Sequence, residues 1–157
     1  MKIGFVLECT LKGPDAIIYP SVFSKLCGTV ELEKPITLTN KKILMDEGHN
    51  YVEELMKQGC DYVFVIWDRI PKWGGTGRCV EEKESFIVKL QQLNIDETRV
   101  KLCCIDEMLE SWLIADERGF NNWVSTLTQR ALPSFSAPNQ SDAENRIRNY
   151  FRENYSK

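Results

Sequence analysis

The chain has 157 residues, a net charge of −3 at pH 7 and 43% hydrophobic residues. This length and composition are typical of one folded domain and exclude a disordered or fibrous protein. The slight excess of acidic residues excludes the broad positive charge that attracts nucleic acid. A role on nucleic acid would therefore need a local group of Lys and Arg side chains, or a partner protein.

The first residues of the chain and its cysteines both indicate the cell compartment. The first residues, MKIGFVLECT, lack the apolar core of a secretory signal, and no stretch approaches the roughly 18 apolar residues of a membrane span. We therefore expect a cytoplasmic protein without a membrane partner. The 6 cysteines form no CxxC pair, which favours reduced thiols over a disulfide framework or a zinc site. Because the chain has 1 histidine, any metal would have to be held by carboxylates.

Three short apolar segments predict buried strands. They are KIGFVLE (Lys2 to Glu8), YVFVIWD (Tyr62 to Asp68) and RVKLCCI (Arg99 to Ile105). Their nearly continuous apolar character is typical of strands that helices cover on both faces. TVELEKPITLT is a weaker candidate, in which Pro35 indicates an edge strand or a bend.

Helix-period segments lie between these strands. One runs from Lys42 to Gln58, with Gly59 as its stop, and another from Val80 to Leu93. Asp106 would cap a third, directly after the last strand. This alternation predicts an α/β, Rossmann-like single domain of about four mainly parallel strands flanked by helices.

The end of the chain differs in composition from the rest. The stretch PSFSAPNQSD is rich in Pro and Ser, and it is followed by a segment with apolar residues at helical spacing. We therefore expect an α/β domain over residues 1–132, and a loop with a C-terminal helix over residues 133–157 that packs on the same domain.

Carboxylates follow each of the three strong strands. Glu8 ends the first and Asp68 ends the second, while Asp106, Glu107 and Glu110 follow the third. The carboxyl ends of parallel strands meet at one edge of a sheet, where ligands bind. Oxygen ligands suit Mg²⁺, so this edge is a candidate metal site. Each acid taken alone could equally be an ordinary strand-end or capping residue.

Three runs of sequence resemble a known family. FVLECT, VFVIWDRIPKW with the following GGTGRCVEEKE, and VKLCCIDEMLESWLIAD look like the Toprim-like (topoisomerase and primase type) domains of a group of small bacterial proteins. That group is similar to the nuclease half of the overcoming-lysogenization-defect proteins. The resemblance extends from Lys2 to Asp116. It implies that Glu8, Asp68 and Glu110 are catalytic, and that these three with Asp116 bind Mg²⁺ or Mn²⁺.

The resemblance also implies a function. It indicates a nuclease component that cleaves nucleic-acid phosphodiesters, most simply DNA, together with a partner ATPase in phage defence. One position departs from the family pattern of aspartate, any residue, aspartate, because the sequence has Asp68, Arg69 and Ile70. The loss of the second acid keeps an alternative open, namely a non-catalytic Toprim-like module that regulates such a complex. A homo-oligomer also stays open.

Basic residues near Asp68 are candidates for phosphate contacts. Arg69, Lys72 and Arg78 surround the glycine-rich GGTG segment, and a guanidinium fixed near a metal would bind phosphate well. Pairing of Arg69 with a nearby acid is an equally simple interpretation. The GGTG segment lacks the lysine and Ser/Thr of a Walker A loop, which indicates a connector or a mobile loop rather than a nucleotide-binding loop.

Overall fold

The computed structural model describes residues 1–10, 13–69, 78–105, 115–128, 135, 145–147 and 149–150. The chain divides into two compact units, Met1–Asp106 and Glu107–Lys157. All the described strands lie in the first unit. The described strands thus all precede residue 132, and the predicted division at residues 132 and 133 stays a prediction.

Among the residues that the structure describes, the first unit is built on a 5-stranded sheet in which the strand pairs are all parallel. The strands are β1 (Lys2–Glu8), β2 (Glu31–Leu32), β3 (Ile36–Leu38), β4 (Tyr62–Asp68) and β5 (Val100–Ile105). The helices of this unit are α1 (Asp15–Cys27), α2 (Lys41–Lys57) and α3 (Cys79–Gln92). The predicted Rossmann-like α/β class is confirmed, as are the bounds of the three strong strands to within one residue.

One edge of the sheet is an interrupted strand. β2 and β3 both pair with β1, with Lys2 opposite Glu31 and Val6 opposite Ile36. Pro35 lies between the two pieces. Proline cannot donate a backbone hydrogen bond to a neighbouring strand, so the pairing breaks there and resumes beyond it. The edge strand or bend predicted at Pro35 is confirmed.

Helix α2 begins and ends with standard capping interactions. The side chain of Asn40 accepts a hydrogen bond from the backbone N–H of Ile43 at 3.0 Å. At the other end Gly59 has φ +85°, a left-handed conformation that glycine adopts without steric cost. The backbone N–H groups of Gly59 and Cys60 donate to carbonyls in the last turn. The predicted stop at Gly59 is confirmed.

The apolar core fills the space between the sheet and the pair α2 and α3. Leu44 and Val52 of α2, Phe86 of α3, and Val65 and Trp67 of β4 are all essentially inaccessible to solvent. Because side chains alternate along a strand, the residues of β1 that share this face are Gly4, Val6 and Glu8. The Glu8 carboxylate at the end of β1 therefore lies on the face of the sheet that α2 and α3 cover.

Helix α1 covers the opposite face. Phe23 of α1 packs on Phe5 of β1 and Phe64 of β4, with ring centroids 5.1 and 4.5 Å apart. Phe5 and Phe64 lie opposite each other in the strand register and are stacked at 6.0 Å. The sheet thus has a helix on each face, as its nearly continuous apolar strands predict.

The second unit contains helix α4 (Glu117–Thr128). A side-chain oxygen of Asp116 accepts a hydrogen bond from the backbone N–H of Gly119 at 2.9 Å, which is the geometry of a helix cap. Phe120 packs against Phe135 and Tyr150, with centroids 4.8 and 6.0 Å away. Residues 145–147 and 149–150 are helical. The predicted helix capped by Asp106 lies outside the described residues.

The structure corrects the expectation that all the cysteines are reduced. Cys79 and Cys104 form a disulfide, with Cα atoms 5.7 Å apart and a sequence separation of 25 residues. Sequence spacing did not reveal this pair, because only the packing of α3 on β5 brings the two residues together. The other cysteines are free thiols: Cys9, Cys27, Cys60 and Cys103. Within the described ranges, no helix has the length and apolar character needed to cross a bilayer.

Candidate functional site

The strand order creates a crevice at the carboxyl ends of β1 and β4. From β1 the chain continues to the β2 and β3 edge, then returns to β4 on the other side of β1. The connections leave on opposite faces, since α1 covers one face and α2 the other. Such a reversal of direction is the usual ligand-binding point of open α/β sheets. Glu8 and Asp68 end the two strands that flank it.

Glu8 is half-buried and accepts hydrogen bonds from backbone groups. The N–H of Asp68 donates to its carboxylate at 3.3 Å, and the backbone N–H of Lys41 also donates to it. Burial raises the pKa of Glu8 from 4.5 to about 7, although the Lys41 ammonium and the backbone donors oppose this shift. The carboxyl group can therefore gain or lose a proton close to neutral pH.

A buried ion pair lies next to Glu8. Lys41, the first residue of α2, and Glu82 of α3 are each only 2% exposed. Lys41 Nζ donates to Glu82 Oε1 at 3.1 Å, and Trp67 Nε1 donates to Glu82 Oε2 at 2.7 Å. Lys41 Nζ also donates to the carbonyl oxygen of Arg69 at 2.9 Å. This network joins α2, α3 and the end of β4 behind the Glu8 carboxylate.

Lys41 and Glu82 were not predicted from the sequence as residues of the site. One signal for Glu82 was available, because it precedes Phe86 and Leu90 at intervals of four residues on the apolar stripe of α3. A charge at such a position must find a partner inside the protein. Lys41 carried no comparable signal, because its burial depends on how α2 packs against the sheet.

The side chain of Asp68 lies on the face of the sheet opposite to that of Glu8. It lies opposite Ile105 in the register and alternates with Trp67, so its side chain is on the α1 face, whereas Glu8 is on the α2 and α3 face. Its charge contributes to the raised pKa of Cys9, about 11, for which burial and then Asp15 are the main causes. The structure thus places Glu8 and Asp68 at adjacent strand ends, with carboxylates assigned to opposite faces.

The remaining predicted site residues are distributed as follows. Glu110 and Lys72 lie outside the described residues. Asp116 belongs to the second unit, where it caps α4. Arg69 follows β4, and its backbone N–H donates to the carbonyl of Ile105 at 2.9 Å. Arg78 is exposed immediately before α3. Among the residues that the structure describes, no three His, Cys, Asp or Glu side chains are grouped so as to hold a metal ion.

Comparisons of the chain with protein-family models, with curated proteins and with solved structures found no match. The class of protein is therefore defined by the fold and the site themselves. The chain is an α/β protein whose Rossmann-like sheet carries a carboxylate and a buried ion pair at its switch point. The two strand ends present carboxylate oxygens, from Glu8 on one face of the sheet and from Asp68 on the other, and such oxygens suit a hard divalent cation.

Proposed function

We propose that the protein is a divalent-metal-dependent nuclease component, which acts on nucleic-acid phosphodiesters in the cytoplasm with a partner ATPase in phage defence. The observation that supports the proposal is the charge around Glu8 at the switch point. When Glu8, Glu82 and Lys41 are all ionised, the two carboxylates exceed the single ammonium by one negative charge. A cation bound at Glu8 would balance this excess.

The proposed metal ligands within the first unit are Glu8 and Asp68, which end adjacent strands. A bound Mg²⁺ or Mn²⁺ would polarise the phosphodiester and lower the pKa of an attacking water. The chain's own part is to hold Glu8 in place through the N–H groups of Asp68 and Lys41. Arg69, Lys72 and Arg78 are the proposed phosphate contacts.

The test is nicking of supercoiled DNA in the presence of Mn²⁺. We expect the wild-type chain to nick the DNA with its ATPase partner or alone, and Glu8→Ala and Asp68→Ala to abolish nicking. Glu84→Gln is a matched control, because Glu84 is an exposed acid on α3. Cleavage that survives in both alanine variants would refute the assignment of the site.

A second candidate function is a non-catalytic Toprim-like module that docks on the ATPase and regulates its complex. The specific observation in its favour is the Lys41 ammonium, a built-in cation close enough to Glu8 to oppose the rise in its pKa that burial causes. The assignment of Asp68 to the other face supports the same view.

Metal titration distinguishes the two candidates. A nuclease site should raise the unfolding temperature on addition of Mn²⁺, because a ligand that binds only the folded state stabilises it. Glu8→Gln should remove that rise and Glu84→Gln should keep it. If Mn²⁺ causes no rise in the wild-type chain, the regulatory module is favoured.

A further inference from the structure

The disulfide lies next to the site and not at the periphery of the fold. It joins Cys79, the first residue of α3, to Cys104, the penultimate residue of β5. Both cysteines are half-buried. Glu82, which holds Lys41 and Trp67, is three residues after Cys79 on the same helix.

The first turn of α3 depends on this link. Arg78 occupies the cap position and makes no side-chain capping hydrogen bond. The first backbone N–H groups of a helix need partners, and a helix without a capping side chain frays more readily at that end. The covalent bond at Cys79 holds the uncapped turn against β5. Its loss would loosen the turn that carries Glu82.

The other end of the disulfide contacts the same carboxylate. Cys104 lies opposite Trp67 in the sheet, and its Sγ is 3.9 Å from Glu82 Oε2. Trp67 Nε1 donates to that same oxygen at 2.7 Å. In the disulfide Cys104 has no hydrogen to donate, whereas in the thiol form its S–H can donate to Glu82 Oε2. The redox state therefore changes the donors around Glu82.

We infer that Cys79 and Cys104 are a reversible thiol–disulfide site, whose redox state sets how firmly Glu82 is held against Trp67 and Lys41. The reductant is a dithiol: two electrons and two protons pass from it to the cysteines, the S–S bond breaks to give two thiols, and the reagent closes to its own disulfide. Formation is the reverse, with a small disulfide as oxidant. The consequence for catalysis rests on the proposed function, but the site itself does not.

Thiol counting tests whether the bond forms. After treatment with oxidised dithiothreitol, a cyclic disulfide that leaves no stable mixed disulfide on a single thiol, and removal of the reagent, the denatured chain should show four free thiols, and six after reduction with dithiothreitol. Cys79→Ser and Cys104→Ser should each remove the dithiothreitol-dependent gain of two thiols. Cys27→Ser, a change at an exposed free cysteine, should keep that gain. Six reactive thiols in the oxidised wild-type chain would overturn the inference.

Indole resonances test the coupling to Glu82. The N–H signal of Trp67, assigned by its absence in Trp67→Phe, should shift on reduction of the wild-type chain. It should not respond to dithiothreitol in Cys79→Ser or Cys104→Ser, and Cys27→Ser should behave as wild type. A disulfide that forms and breaks without moving the Trp67 signal would show a structural cross-link only, and would refute the switch.

The two proposals fail in different ways. If the nuclease proposal is wrong, nicking will be insensitive to Glu8→Ala while the thiol counts and the Trp67 shift are as expected. If the redox inference is wrong, the Trp67 signal will not change on reduction while Mn²⁺-dependent nicking stays sensitive to Glu8→Ala.

Discussion

Replacing Glu8 by glutamine should stabilise the protein at alkaline pH. Burial raises the pKa of Glu8 from 4.5 to about 7. A carboxyl group whose pKa is raised by folding binds its proton more tightly in the folded state, so its contribution to stability is complete below 4.5 and is lost as the pH rises to about 7. Above that pH the folded chain carries a poorly solvated charge, which Glu8→Gln removes.

The size of the effect follows from the pKa difference. From 4.5 to about 7, at ~1.4 kcal/mol for each pH unit, the upper bound is ~3 kcal/mol. Glu8 is only half-buried, and solvent screening reduces the expected gain to ~1–2 kcal/mol. The glutamine amide oxygen can still accept the hydrogen bond from the N–H of Asp68. The variant thus removes the charge while keeping this contact.

Urea unfolding at roughly pH 5 and roughly pH 8, without added metal, measures the difference. Glu8→Gln should gain ~1–2 kcal/mol over the wild-type chain at the higher pH relative to the lower. The exposed acid Glu84 provides the control, since Glu84→Gln should show no such pH-dependent gain. If Glu8→Gln has the same effect on stability at both pH values, Glu8 is not the desolvated carboxyl group described above.

Two further changes test the buried ion pair and the helix stop by urea unfolding. Lys41→Met should destabilise the protein by ~3–5 kcal/mol, because it leaves the Glu82 carboxylate buried without its cation. The double variant Lys41→Met with Glu82→Gln should recover part of this loss. Equal losses of stability in the single and double variants would contradict the pairing. Gly59→Ala should lower the free energy of unfolding by ~1–2 kcal/mol, because φ is +85° at this position. Gln58→Ala is the control and should change stability little, because φ is −77° there. Equal losses of stability at the two positions would contradict the assigned conformation of Gly59.

The elements of the sheet could be predicted because their signals are local. An apolar run such as YVFVIWD specifies a buried strand, and the capping residues of α2 and its glycine stop lie at the ends of the helix they delimit. The placement of Glu8 and Asp68 at strand ends followed directly from those strands. The face on which each carboxylate lies was not predicted, because it depends on the register of β1 against β4 and on which helix covers each side.

By itself, then, the sequence determined the α/β class, the three strong strands, helices α2 and α3, and the acids Glu8 and Asp68 at the edge of the sheet, since periods of two and 3.6 residues can be read within a segment. Helix α1 was not predicted. Only the tertiary structure decided that Lys41 binds Glu82 across 41 positions and that Cys79 binds Cys104 across 25. Contacts between residues so far apart arise when α2 and α3 pack on one face of the sheet. The sequence around these four residues has no periodic pattern from which the partner of each could be predicted.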